Sequence, residues 1–402
     1  MATAKKTTAT KKKVDVAKEV AESTNDKKFE TTYLQTACAG LDLALTGGRG
    51  VPMGSNIMLF GLPGHGKTTL MGDVITRVLT RHQKEGVPFR VHYIDSENSM
   101  ELLRSLGVMD FVFDNEEYHP QQVIYHPNVK TFEEIEGIFD RIVGTIKDGK
   151  VTVSEKDPWR RDIKLIFVDS VTNLIAESQL ENKVDKADFG DNAKARKKLY
   201  LKYLARLRDF GVTNFWSTQM AVNQTNGMAF AEKERPAISK FDEHNMEIIA
   251  KLVKCTDSKR TELKKVKIKT LDGVKEVQTR YITTIYPGQA NHTKNRFGQT
   301  VPVEILVAPG RKILNGFTIK NVLELQGCIK KLEGSMWAIS DDLVAFLGDD
   351  VLANINTKNV SDEEVNSLCS QNAGKLVFYM QDREIYSPVA KGVEVVKDDG
   401  FC

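Results

Sequence analysis

The chain has 402 residues, 41% of them apolar and 28% charged, the balance of a soluble globular protein with room for two domains or one large core and an appended lobe. No run of eighteen apolar residues occurs, which excludes a membrane-spanning helix. Five scattered cysteines (Cys38, Cys255, Cys328, Cys369, Cys402) form no C-x-x-C pair and point to a reducing compartment, while a net charge of +3 is too small by itself to argue for a polyanionic partner.

Residues 1–28 carry eight lysines against four acids and almost no large apolar side chains. Such a segment cannot bury enough surface to fold and reads as a disordered basic tail. It lacks the apolar stretch of a secretory signal. Solvation is the simpler role for it, with a grazing contact to DNA as the alternative. Order is expected from about residue 29, with a short apolar helix at 38–45 and a Gly/Pro-rich loop at 46–54.

Residues 56–60 then read as a short buried strand. Leu70, Met71, Val74, Ile75, Val78 and Leu79 fall on one face of a following helix. Between them, Gly61-Leu62-Pro63-Gly64-His65-Gly66-Lys67-Thr68-Thr69 fits G-x-x-x-x-G-K-[ST], the loop that cradles phosphates. Its glycines let backbone N–H groups turn inward where a side chain would collide, and the helix N-terminus adds its positive dipole end. The whole loop is expected to hold a nucleotide, with Lys67 on the β- and γ-phosphates and the Thr68 hydroxyl on Mg2+.

The next strand, 89–94, ends in Asp95-Ser96-Glu97-Asn98. Carboxylates at the carboxyl edge of an α/β sheet face the ligand crevice. Glu97 is therefore a candidate base for the water that attacks the γ-phosphate, while Asp95 reads as a cap for a helix starting near Met100. Residues 132–146 read as an amphipathic helix and 147–161 as an exposed excursion. The apolar run 164–168 closes on Asp169, the form of a strand that holds Mg2+ through its carboxylate.

Residues 177–192 read as a polar loop, 193–208 as a Lys/Arg-rich helix, and 214–219 as a strand with a polar end at Gln219. An irregular loop is expected over 220–241. Its Met228 and Phe230 are either core anchors or residues that wedge or stack on bases. Nine Lys/Arg against four acids occupy 254–280, where 265–271 and 274–282 read as a solvated edge hairpin about Asp272-Gly273. After a strand at 301–307, the chain becomes more acidic from about Gly310. The divisions expected are a tail at 1–28, a core at 29–309 and a small C-terminal α+β lobe at 310–402.

Together these segments resemble the RecA-type recombinases, most closely the phage UvsX-like members, over roughly residues 36–330. The carriers are Gly40-Leu41-Asp42-Leu43-Ala44-Leu45, Val51-Pro52-Met53-Gly54, the 61–69 loop, Tyr93-Ile94-Asp95-Ser96-Glu97, residues 166–171, Gln219 and Thr293-Lys294-Asn295-Arg296-Phe297. The resemblance implies an α/β, RecA-like P-loop ATPase core with a central, mostly parallel twisted sheet flanked by helices. It implies a DNA-dependent ATPase that polymerises head-to-tail on single-stranded DNA, binds ATP and Mg2+ at subunit interfaces, and exchanges strands with double-stranded DNA.

On that likeness Glu97 is the water-activating carboxylate, Asp169 the Mg2+-site acid and Gln219 the γ-phosphate sensor. Lys294 and Arg296 are cations inserted into the neighbour's ATP site. The loops at 177–192 and 220–241 face DNA, with Lys183, Lys186, Phe189, Asn223, Met228, Phe230, Lys233, Arg235 and Lys240 as contacts. Single-strand-binding and loading proteins are further implied partners, no membrane is, and the implied setting is the DNA-associated cytoplasm of a bacterium or infected host. Three features depart from the family pattern. Arg104 stands where an aromatic over the adenine is common, 147–161 lengthens the gap between Glu97 and Asp169, and Glu232, Glu234 and Asp242 dilute the basic charge of the second loop. Two other readings share the core. One is a hexameric DNA helicase, for which a large helical domain ahead of the core would be expected; the other is a regulatory ATPase that does not touch DNA.

Overall fold

The computed structural model describes residues 31–147, 150–152, 157–180, 189–222, 234–255, 265–270, 273–278, 281–288, 293–297, 301–308, 312–353 and 355–382. In chain order, β1 (Tyr33–Leu34) and β2 (Val51–Pro52) pair around α1 (Ala39–Thr46). Then come β3 (Asn56–Gly61), α2 (Lys67–Glu85), β4 (Phe89–Asp95), α3 (Met100–Ser105), β5 (Gln121–His126) and α4 (Phe132–Val143). A small hairpin of β6 (Thr145–Lys147) and β7 (Lys150–Thr152) precedes β8 (Ile163–Asp169), α5 (Glu177–Leu180), α6 (Phe189–Asp209) and β9 (Thr213–Val222). Next are β10 (Glu234–Pro236), α7 (Lys240–Asn245), β11 (Ile248–Lys254), the hairpin β12 (Lys265–Thr270) and β13 (Gly273–Gln278), β14 (Tyr281–Pro287), β15 (Lys294–Asn295) and β16 (Val303–Val307). The C-terminal part begins with α8 (Asn315–Leu325) and holds a three-stranded sheet and further short helices ending at Asp382.

A ten-stranded sheet organises the protein, in the order β16-β14-β11-β3-β9-β8-β4-β5, with β10 on β9 and β15 on β11. The run from β11 to β5 is parallel throughout, whereas β14 and β16 are antiparallel. Every residue of β3 and β4 is buried, as expected of strands covered on both faces. Alternation along the strands sends Leu59, Tyr93 and Phe167 into one core with α1 and α2. It sends Phe60, Ile94 and Val168 into a second core with α4 and α6. The first core continues without a break into Ile319, Leu323 and Met380 of the C-terminal part.

Local signals fix the helices beside the site. Gly86, at φ 66°, ends α2: its N–H donates to the Gln83 carbonyl and the Val87 N–H to the His82 carbonyl, the left-handed terminus that glycine adopts without steric cost. Thr131 and Glu134 form a reciprocal capping box at the start of α4. Gly144 ends that helix at Val143 rather than at 146, and residues 145–147 turn into β6.

Other expectations also shift. Helix α6 begins at Phe189, four residues before the predicted start, and 177–180 is helical. Strand β9 runs on past Gln219 to Val222 and pairs antiparallel with β10, and α7 follows. Within 220–241, residues 220–222, 234–236 and 240–241 are therefore regular, and 223–233 lie outside the described residues. The second hairpin strand stops at Gln278, and Tyr281 opens a separate strand of the main sheet. Strand β11 was not anticipated, although Ile248-Ile249-Ala250 and Leu252-Val253 form an apolar run broken only by Lys251. Within the 147–161 excursion, Trp159 packs against the second core, with Arg141 stacked 3.6 Å over its ring. Among the described residues, no helix is long and apolar enough to cross a membrane.

Candidate active site

Strand register assembles the site. Gly61 of β3 lies beside Gln219 of β9, and Asp95 of β4 lies beside Asp169 of β8. The chain leaves β3 for β4 while β9 and β8 fill the space between. Four carboxyl-terminal strand ends thus open on one edge, the position at which parallel α/β sheets bind ligands.

The turn between β3 and α2 needs its glycines. Gly64 and Gly66 sit at φ 78° and 93°, in the left-handed region. A Cβ on Gly61 would lie 2.5 Å from the Leu252 carbonyl oxygen. The Thr283 hydroxyl donates to the His65 carbonyl (3.2 Å), and His65 Nδ1 lies 3.0 Å from the Leu252 carbonyl, so the turn is fastened to β11 and β14. Leu62, Pro63 and Gly64 are exposed at its tip, whereas Lys67 and Thr69 are buried. The Lys67 ammonium donates to the carbonyls of Gly61 (2.9 Å) and Leu62 (3.2 Å). Burial lowers its pKa, against the opposing pull of Glu97 and Asp169.

Asp169 is wholly buried and accepts three hydroxyls. Thr68 (2.7 Å) and Tyr93 (2.8 Å) donate to Oδ2, and Ser217 donates to Oδ1. Burial and then the charge of Glu97 push its pKa up, and the three donors pull it down. On Glu97 itself, Oε1 is buried and has no hydrogen-bond partner. A hydroxyl in contact with a carboxylate, a second carboxylate with an orphan oxygen and a buried ammonium form a donor set that fits Mg2+ on a polyphosphate. That ion keeps waters and takes one or two carboxylates along with phosphate oxygens. Among the described residues, no group of three or more His, Cys, Asp or Glu is placed to hold a metal without such a ligand.

The other predicted residues fall into three sets. Gln219 reaches the same edge, its N–H donating to Thr172 Oγ1 (3.1 Å). Lys294 and Arg296 do not. Lys294 pairs with Ile249, which neighbours Met58, three residues before Gly61, or about 10 Å back along the strand. There its ammonium donates to the carbonyls of Glu243 (3.1 Å) and His244 (3.4 Å), while Arg296 lies 3.7 Å from the Glu247 carboxylate. Of the residues expected to contact DNA, Arg235 on β10 and Lys240 at the start of α7 are exposed, and Phe189 opens α6. Lys183, Lys186, Asn223, Met228, Phe230 and Lys233 lie outside the described residues. Arg104 is exposed and pairs with Glu101.

Sequence reasoning missed Tyr93, Tyr125 and Ser217. Inside buried strands a tyrosine reads as core, and its hydroxyl partner lies on another strand. The available signal was phase, because Tyr93 and Asp95 share one face of β4. A comparison with protein-family models gives no match, and a comparison with curated proteins gives none.

Proposed function

We propose that the chain is an ATP-dependent DNA recombinase built on a RecA-like P-loop ATPase core. It would polymerise on single-stranded DNA and exchange strands with double-stranded DNA. The observation that carries the ATPase part is the Thr68–Asp169 contact at the start of α2, with the orphan oxygen of Glu97 and the buried Lys67 beside it. In this reading residues 61–69 hold the triphosphate and Lys67 neutralises its β- and γ-oxygens. Thr68 and Asp169 hold Mg2+, which when bound offsets charge on the transferring phosphoryl group. Glu97 accepts a proton from the attacking water, and Gln219 senses the γ-phosphate.

The recombinase part rests on the resemblance and on two placements. Lys294 and Arg296 lie away from the chain's own loop, and Arg296 is half-exposed, which supports a role in a neighbouring subunit's site. Arg235 and Lys240 follow the 223–233 segment at exposed positions, which suits contact with phosphates.

Two variants test the assignment. Lys67→Ala is expected to lose ATP binding. Glu97→Gln is expected to keep it and to lose turnover by about 10²–10⁴-fold, the range for a positioned base. Normal turnover by Glu97→Gln would sink the base assignment.

A further inference from the structure

The turn that carries Glu97 is clamped from both sides. Asp95, the last residue of β4, has a carboxylate with no exposure. Its Oδ1 accepts the N–H of Glu97 (3.0 Å), and its Oδ2 accepts the N–H of Ser99 (2.8 Å) and the hydroxyl of Tyr125 on β5 (2.7 Å). Asp95 thus bonds the N-terminal end of α3, in keeping with its predicted place as a helix cap, and it also holds the backbone at Glu97. Ser99 is the N-cap of α3, and Asp95 holds the turn before it. On the other side, the Ser96 N–H donates to the Asp169 carbonyl (2.8 Å), and Ser96 Oγ exchanges hydrogen bonds with the N–H and carbonyl of Ser170 (both 2.7 Å). Asn98 completes the turn at φ 58°.

A solvent-exposed carboxylate could cap such a turn without the desolvation that burying a charge costs. Here the charge is buried, and two of its three donors are N–H groups of the turn. The Glu97 oxygen, by contrast, has no partner. Its place is set by the backbone, leaving the oxygen itself uncommitted. We infer that Asp95, braced by Tyr125, is a positioning residue that fixes the Glu97 carboxylate in the site; this rests on the function proposed above. A misplacement of about 1 Å in such a group can cost on the order of 10²-fold in rate.

The experiment makes Asp95→Asn and Tyr125→Phe, each alone and in the Glu97→Gln background. It measures ATP turnover with Mg2+, nucleotide affinity, and amide hydrogen exchange over residues 96–100 in the nucleotide-free protein. Asp95→Asn is expected to lower kcat by about 10- to 100-fold, to leave affinity within about threefold, and to speed exchange at the Glu97 and Ser99 amides. Tyr125→Phe should move each readout the same way by less, and it carries the test if Asp95→Asn does not fold. With Glu97→Gln already present, neither change should lower turnover further. An unchanged kcat, or a full extra loss in the Glu97→Gln background, overturns the inference while leaving the ATPase reading intact. Wild-type turnover that ignores Glu97→Gln overturns both, whatever the exchange data show.

Discussion

Tyr93→Phe isolates one hydrogen bond at the centre of the site. The Tyr93 ring is fully buried, stacked on Phe167 at 6.3 Å between centroids, and its hydroxyl donates to Asp169. Phenylalanine keeps the ring and removes only the oxygen, so cavity effects are small. Asp169 retains Thr68 and Ser217 as donors but loses one of three bonds to a buried charge. Hydrogen bonds to charged groups contribute about 1.5–3 kcal/mol, and the retained donors place the loss near the lower end, about 1.5–2 kcal/mol. Urea unfolding of the nucleotide-free protein, followed by tryptophan fluorescence, measures it as a lower midpoint at unchanged slope. A stability within about 0.5 kcal/mol of wild type, the scatter of neutral surface changes, would refute the claim that Tyr93 holds Asp169.

Packing and pH supply further predictions. Gly40 lies in α1 where an added Cβ would sit 2.2 Å from Ile305 Cγ2. Gly40→Ala should therefore destabilise by about 1–2 kcal/mol in urea unfolding, overpacking outweighing the better helix former. Gly374→Ala, with nothing within 4 Å of the new Cβ, should instead gain up to about 1 kcal/mol. Asp42 is buried against Thr36, and burial pushes its pKa up to about 7. Between about pH 4 and that value the folded chain holds a proton the unfolded chain has lost. This contribution to stability therefore falls as pH rises through the window. Asp42→Asn should remove that part of the slope, and an Asn variant with the wild-type pH profile would contradict it.

Legibility followed the range over which each feature is encoded. The strand, turn and helix around Lys67 were readable because glycine spacing and helix phase are local, and the structure keeps them within a residue. Asp169 was readable as the end of an apolar run. The contacts that finish the site were not. Tyr93 reaches Asp169 and Tyr125 reaches Asp95 across 76 and 30 residues, and only strand order brings them together. The same holds for Lys294, whose place follows from antiparallel pairing with β11, a strand that Lys251 hid from the pattern reading. Irregular composition over 220–241 concealed β10 and α7, because a three-residue strand and a six-residue helix are too short to show a period.

The central claim is most directly tested by the ATPase rate in Mg2+, with and without single-stranded DNA, across protein concentration and salt. The account predicts a rate that DNA stimulates, that rises cooperatively with protein, and that falls with salt as phosphate contacts are lost. Lys294→Ala and Arg296→Ala should lower that rate while leaving ATP binding to the isolated chain in place. A rate indifferent to DNA and to protein concentration would contradict the recombinase reading and leave only a nucleotide-binding loop.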